Sequence, residues 1–413
     1  MKILWIVNGI MPRLANSIGT AITAGGSWLN EPLDILSKNE ELEFHVVTMW
    51  HRKEYVNKIV DGVNYYILPG NYIDECWGPV GRYKKICREL AREINPDVFH
   101  IFGGEFAFAH GFMPYLDCPS ILTVQGFMSV INKRYYYGGI KVSSLMWCLL
   151  PWNINTYLPM KLRHYENNLR ARSEVKQVQY VGGIIGNTSW DYTQSRLMNS
   201  DSKYYYLDYA IRREFFNRRW NIEKITRHTL LFVNMSVPLK GFHSLLEAAT
   251  ILVKKYPDMV IRVAGPNTVA GKNINGYARY LKKKIKDTRM EDRIEFLGVL
   301  NGEQMAKEME QAHTFTLTSC IENGPNVLLE AMLVGMPCVS SFVGGAMDYA
   351  KSEEEALFYR FDEPEMLAHQ IDRIWSHDGL AVHLSQQAKK RAKCRQNFEE
   401  VSNGLLEIYK TLI

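Results

Sequence analysis

Between residues 319 and 341 the chain reads SCIENGPNVLLEAMLVGMPCVSS, and only two of these side chains carry charge, Glu322 and Glu330. FTLTS (315–319) reads as a buried strand and Cys320 to Gly324 as a loop. A helix is expected from near Pro325, since proline suits the first helical position. Val327, Leu328, Leu329, Ala331, Met332, Leu333 and Val334 make that helix apolar on nearly every side, so it belongs in a core. Gly335 ends it, Pro337 forbids its continuation, and CVSS re-enters the sheet. Glu322 then stands at the carboxyl end of a strand. Glu330 lies about 8 Å along the helix axis, at roughly 1.5 Å per residue. Between them the helix start offers free amides and a positive dipole end, an anion site. A diphosphate there would carry one hydroxyl-rich group towards each carboxylate, as the sugar and the ribose of a nucleotide-sugar would. The spacing alone equally allows a solvated Glu330 and an ordinary loop charge at Glu322.

The elements that must position these residues follow from hydrophobic periodicity. KILWIV (2–7), FHVVTMW (44–50), VFHIF (98–102) and SILTV (120–124) read as buried strands, and YVGGIIGNTS (180–189) as a strand leading into a helix. Helices are expected around 27–37 and over RYKKICRELAREI, where Tyr83, Ile86, Cys87, Leu90 and Ile94 recur at helical spacing. The pattern then restarts with TLLFVNMS (229–236), a helix over GFHSLLEAATILVKKY, and strands MVIRVAG (259–265), RIEFLG (293–298) and FTLTS. Strands alternating with helices predict parallel, doubly wound sheets. The seam falls near 207–225. The fold class expected is α/β, two Rossmann-like domains facing across a cleft, with ligands at the carboxyl ends of the strands.

Bulk properties agree. A chain of 413 residues is too long for one ordinary core. Apolar content of 46% and charge of 23% are those of a globular protein, and a net charge of +5 is too mild to point to nucleic acid. Seven cysteines form no metal-binding spacing and fit a reducing, cytoplasmic setting. The N-terminus does not read as a signal peptide. No apolar run reaches the roughly 18–20 residues of a membrane span; SLMWCLLPW (144–152) is broken by Pro151.

The stretch Ser319-x-x-Glu322, then NGPNVLLEAMLVGMPCVSS, then GGAMD resembles the donor-site signature of the retaining glycosyltransferases with the GT-B fold, in the large fourth sequence family (glycosyl transferases group 1). SVPLKG (236–241), IRVAGP, RIEFLG, PDVFHIFGG, ILTVQG and GNTSWDYTQSR resemble other blocks of that family in order. The resemblance is strong at 315–348, moderate at 229–241 and weak over 50–80 and 130–175. It implies an N-terminal acceptor domain, 1–208 with a crossover helix about 397–413 after a break near Asn397 to Asn403, and a nucleotide-sugar domain, 209–396. It also implies roles: Lys240 neutralises the donor diphosphate and Glu322 contacts the transferred sugar. Asn323, Gly324, Pro325, Asn326 and Val327 line the sugar and phosphate pocket, and Glu330 holds the ribose hydroxyls. Gly25 and Gly26 let a loop of the first domain approach the phosphate or acceptor.

Two positions depart from the family pattern. Met235 stands where an arginine is common, five residues before Lys240, and Gln125 where many members have a histidine beside the reacting sugar. Gln125 can donate a hydrogen bond to a sugar hydroxyl but is no acid or base at neutral pH. Arg13 and Lys133 are candidates, by loop position, for replacing the missing cation. The implied reaction is a retaining transfer in which the leaving diphosphate is stabilised electrostatically, with no protein nucleophile. No Asp-x-Asp pair is present, so no metal and no cofactor beyond the donor are expected.

Lys133, Arg134, Lys141, Lys161, Arg163, Arg170 and Arg172 interleave with Tyr135, Tyr136, Tyr137, Trp147, Trp152 and Tyr157. That mixture suits a lipid-linked acceptor or peripheral contact with an anionic membrane; the other reading is a helical insertion whose aromatics pack on the first domain. Three functions stay open: a transferase building a surface glycan or glycolipid, a hydrolase or epimerase on the same fold, and a non-catalytic nucleotide-sugar-binding partner of another transferase.

Overall fold

The computed structural model describes residues 1–20, 29–50, 54–71, 74, 76, 82–141, 154–271, 274, 276–395 and 398–413. The chain divides into two compact units. One comprises Met1–Lys133, Tyr165–Ala210 and Gln396–Ile413, the other Arg134–His164 and Ile211–Arg395.

The first unit holds a sheet of eight strands among the described residues: β1 (Lys2–Val7), β2 (Glu43–Trp50), β3 (Val56–Val60), β4 (Val63–Pro69), β5 (Val98–Phe102), β6 (Ser120–Thr123), β7 (Gly183–Gly186) and β8 (Lys203–Tyr206). Their order is β3-β4-β2-β1-β5-β6-β7-β8, parallel except for the antiparallel edge pair β3–β4. The central strands are covered on both faces, which is why they read as apolar runs. Sequence reading did not find β3 and β4. The β3 residues VNKIV are largely exposed at an edge, so burial left no pattern there. The signal lay in Asp61-Gly62, whose φ values of 47° and 79° make the hairpin turn that Asp-Gly favours.

The last helix, Phe398–Leu412, is part of the first unit. Its Tyr409 hydroxyl accepts from Trp5 Nε1 at 2.9 Å and meets His100 Nδ1 at 2.6 Å, while His100 Nε2 reaches Thr123 Oγ1 at 2.7 Å. Burial pushes the His100 pKa well down, so the ring is neutral and the chain of bonds is satisfied without a charge. The break before this helix is shorter than expected, because Phe398 to Asn403 already form its first turns.

The second unit holds β9 (Thr226–Val233), β10 (Val260–Ala264), β11 (Ile294–Gly298), β12 (Ala312–Leu317), β13 (Cys338–Ser341) and β14 (Leu357–Tyr359). Their order is β11-β10-β9-β12-β13-β14, all parallel. The strand order reverses between β9 and β12 here, and between β1 and β5 in the first sheet. Loops leaving two such strands part to opposite sides, and the crevice at their carboxyl ends is where doubly wound sheets take ligands.

Residues 134–164 correct an expectation. Placed by sequence in the first domain, they group instead with the second. Ile140 and Met160 lie in the second unit's core and Tyr136 and Tyr137 pack against it. Tyr136 also stacks on His164, with ring centres 4.7 Å apart. The His243 ring nitrogen Nε2 bonds the Gly138 carbonyl at 2.9 Å, and a Cβ on Gly138 would stand 2.1 Å from the Pro238 carbonyl oxygen. Tyr136 and Tyr137 are thus committed to the second core; Trp147 and Trp152 lie outside the described residues. No helix among the described residues is long and apolar enough to cross a membrane.

Candidate functional site

The β9–Lys240 loop and the β12–Glu322 loop rise on either side of the second sheet's reversal point. Pro238–Lys240 form a single 3-10 turn that closes on Gly241, whose φ of 73° is left-handed. The two loops are stitched together: Cys320 donates its amide to the Leu239 carbonyl at 2.9 Å, and Thr318 Oγ1 donates to the Lys240 carbonyl at 2.9 Å. Contact is so close that a Cβ on Gly241 would lie 1.9 Å from the Thr318 carbonyl oxygen. The Lys-Gly pair is therefore a packing requirement as well as a source of charge.

That stitching puts Lys240 Nζ 2.5 Å from Glu322 Oε1, with the carboxylate also accepting from Ser319 Oγ. Only 12% of the Glu322 side chain and 27% of the Lys240 side chain is exposed. Behind Glu322, Gly345 donates its amide to the Glu322 carbonyl at 3.0 Å, and a Cβ on Gly344 would lie 1.9 Å from that same oxygen. The Gly-Gly of the GGAMD segment thus holds the backbone from which the carboxylate projects.

The helix after the loop runs Asn326–Val334, with Pro325 as its N-cap rather than its first residue, and ends on left-handed Gly335. Asn323 is buried, and Asn326 Oδ1 is a buried acceptor without a hydrogen-bond partner. A hydroxyl-bearing ligand at this helix start would satisfy it. Gly324, Pro325 and Val327 complete the same turn. Lys240, Glu322 and the 323–327 loop are therefore assembled at one end of one sheet.

Glu330 is neither solvated nor beside Lys240 in this network. It is buried and accepts two bonds at Oε1 from Arg212, Nε at 3.0 Å and Nη2 at 2.8 Å. Burial raises its pKa, and Arg212 pulls it back down. Sequence reading missed Arg212, treating its segment only as a seam. The clue was a lone carboxylate on a core helix, which needs a cation. Removing one partner of a buried pair costs about 3–5 kcal/mol, and the exposed third of Arg212 lowers that to roughly 2 kcal/mol. Arg212→Ala is expected to destabilise the second unit by this amount near neutral pH. A raised carboxylate pKa gives stability that falls as pH rises from the unfolded value. The variant raises that pKa further, so its deficit in thermal denaturation should be smaller at pH 5 than at pH 7.5.

Met235 is fully buried in the second core, so this position serves packing and offers no charge. Arg13, in the first unit, is paired with Asp34 at 2.7 Å. Gln125 follows β6 at its carboxyl end and is half-buried. Gly25 and Gly26 lie outside the described residues.

The first sheet's reversal point carries its own pair, unforeseen from sequence. Asn8, just past β1, donates Nδ2 to Glu105 Oε2 at 2.9 Å, just past β5. Burial first, then the neighbouring Glu174 carboxylate, pushes the Glu105 pKa up to about 8. Glu174 is pushed up to about 7 by burial, against two backbone amides, Met128 and Ser129, that bond it at 2.8 Å each. Glu105 is thus protonated at neutral pH and able to donate a hydrogen bond. Since its folded pKa exceeds the unfolded value, its contribution is fully present below about pH 4.5 and is lost as pH rises through 8. Glu105→Gln should flatten the decline in the melting midpoint of the native protein between pH 5 and 8.

Comparison with known proteins bears on the family and the fold. Residues 214–391 match the family model described as glycosyl transferases group 1. D-inositol 3-phosphate glycosyltransferase of Corynebacterium urealyticum is 26% identical over 181 residues, 44% of this chain and 42% of that protein. The matched stretch thus spans less than half of that relative. Over the whole chain, sucrose-phosphate synthase from Thermosynechococcus elongatus superposes with a TM-score of 0.71 at 13% identity, covering 100% of this chain and 99% of the other. HepE of Anabaena in complex with UDP-glucose superposes at 0.69 with 14% identity, covering 100% of both. Residues 214–391 belong to the glycosyl transferases group 1 family, and the chain has the fold of the GT-B glycosyltransferases.

Proposed function

We propose that this protein is a retaining glycosyltransferase that moves a sugar from a nucleoside-diphosphate sugar to a glycan or lipid-linked acceptor, in surface polysaccharide or glycolipid synthesis, without a metal. The observation that carries the reading is the Lys240–Glu322 pair at the second sheet's reversal point, in front of the Asn326–Val334 helix. A diphosphate seated at that helix start meets amide donors and the Lys240 ammonium, the charges that stabilise a departing diphosphate. Glu322 both orients Lys240 and presents a carboxylate to the hydroxyls of the transferred sugar. Glu330, oriented by Arg212, is the acceptor for the ribose hydroxyls. The acceptor hydroxyl attacks the face from which the diphosphate leaves; the C–O bond to the diphosphate breaks as the new one forms, and the proton passes to the departing phosphate oxygen. The UDP-glucose held by the HepE neighbour supports a nucleotide-sugar donor, and the family of residues 214–391 supports glycosyl transfer.

A second reading, a non-catalytic nucleotide-sugar-binding partner, draws on Gln125 and on Met235, which brings no cation to the site. The test is release of nucleoside diphosphate from a panel of sugar nucleotides without added metal, for the native protein and Glu322→Gln. Slow, donor-specific release that the variant loses supports the enzyme and names its donor. Binding of a donor with no turnover, with or without an acceptor panel, would favour the partner reading.

A further inference from the structure

The first unit carries a groove of about 1180 Å³ that the donor site does not use. One wall is the second half of the Ile154–Tyr180 helix, where Tyr165, Leu169, Arg172, Lys176 and Gln179 recur at spacings of four, three, four and three and so share one face. Lys133, on the Met128–Tyr135 helix, supplies the opposing cation. Among the described residues no aspartate or glutamate lines the groove, and none of Lys133, Arg172 and Lys176 has an ion pair. Of the two acids on the same stretch of helix, Glu166 is not among the lining residues and Glu174 is spent on the amides of Met128 and Ser129.

Arg172 and Lys176 stand one turn apart with like charge, an arrangement that costs a helix about 0.2–0.5 kcal/mol unless an anion answers it. Three unpaired cations on a concave surface raise the local concentration of anions. His110 adds no charge: burial, and then Lys176, lower its pKa, while its Nε2 bonds Ser173 Oγ at 2.7 Å. The rest of the lining suits a sugar. Tyr165 presents a ring that is 63% exposed, and Asn168 and Gln179 bring amides for hydroxyl groups. A membrane surface would call for a flat or convex patch, whereas this concavity is the size of a small-molecule site.

We infer that the groove binds a saccharide bearing a phosphate or diphosphate group and, resting on the glycosyltransferase reading, that this anionic saccharide is the acceptor. The experiment uses the full chain with Lys240→Met, so that the donor site is silenced, and titrates inorganic pyrophosphate and glucose 1-phosphate calorimetrically. Adding Arg172→Glu and Lys176→Glu, both exposed, should weaken pyrophosphate at least tenfold. Tyr165→Ala should weaken glucose 1-phosphate several-fold and leave pyrophosphate unchanged. Pyrophosphate affinity indifferent to the charge reversal overturns the proposal. So does charge-sensitive binding that appears only with phosphatidylglycerol vesicles, which would make the surface a membrane patch; glucose 1-phosphate indifferent to Tyr165→Ala overturns the saccharide. UDP titrated into the protein with Lys240 intact reads the donor site separately. UDP affinity that survives the groove variants shows that the two sites fail independently.

Discussion

Lys240→Met is expected to lower the rate of sugar transfer by about 10²–10³-fold, or roughly 2.7–4 kcal/mol of transition-state stabilisation. Among the described residues the Lys240 ammonium is the one cation set against Glu322, and Met235 brings none. A unit charge about 4 Å away interacts with a developing phosphate charge by roughly 4 kcal/mol at an effective dielectric of 20, so one lysine accounts for an effect of this size. The loss should appear in kcat as well as in donor affinity, because the charge on the diphosphate grows as the glycosidic bond breaks. Glu322 remains behind as an unanswered carboxylate, which repels the diphosphate and deepens the defect. Steady-state kinetics with the identified donor would show it; a variant retaining more than a tenth of native activity would remove Lys240 from the reaction.

The largest effect on stability is expected at Gly241. An alanine there pays about 1–2 kcal/mol for a left-handed backbone, and its Cβ would lie 1.9 Å from the Thr318 carbonyl oxygen, a backbone atom that cannot rotate aside. The loop must separate from β12, breaking the Cys320–Leu239 and Thr318–Lys240 bonds, for a total of roughly 3–5 kcal/mol. At about 2–4 °C per kcal/mol for a unit of this size, the melting transition of the second unit should fall by about 10 °C. Gly298 is the control: its φ of 72° is the same, but nothing stands within 4 Å of its would-be Cβ. Gly298→Ala should cost only the backbone share. Equal losses in the two variants would show that the close approach to Thr318 carries no weight.

What could be read from sequence followed what burial writes into it. β1, β5, β9 and β12 are covered on both faces and announced themselves as apolar runs, and the Asn326–Val334 helix was bounded to within one residue by Pro325 and Gly335. The cluster at Glu322 and the 323–327 turn drew notice for the same reason, since carboxylates in apolar surroundings need an explanation. Long-range pairing was not legible. Arg212 meets Glu330 across 118 residues, and Asn8 meets Glu105 across 97; Arg212, Asn8 and Glu105 each look alone like an ordinary polar residue in a loop. The segment at 134–164 deceived by position: it leaves the first unit in mid-chain, and its aromatics looked like an insertion on the nearest core. The fit of Gly138 against Pro238 and His243, with Ile140 and Met160 in the second core, shows which core it joins.

The central claim is that the second unit seats a nucleoside diphosphate through Lys240. Its most direct test is calorimetric titration of UDP, GDP and ADP into the native protein and Lys240→Met. One nucleotide should bind the native protein and lose at least tenfold in affinity, about 1.4 kcal/mol, in the variant. No binding by any of the three, or equal affinity for both proteins, would contradict it.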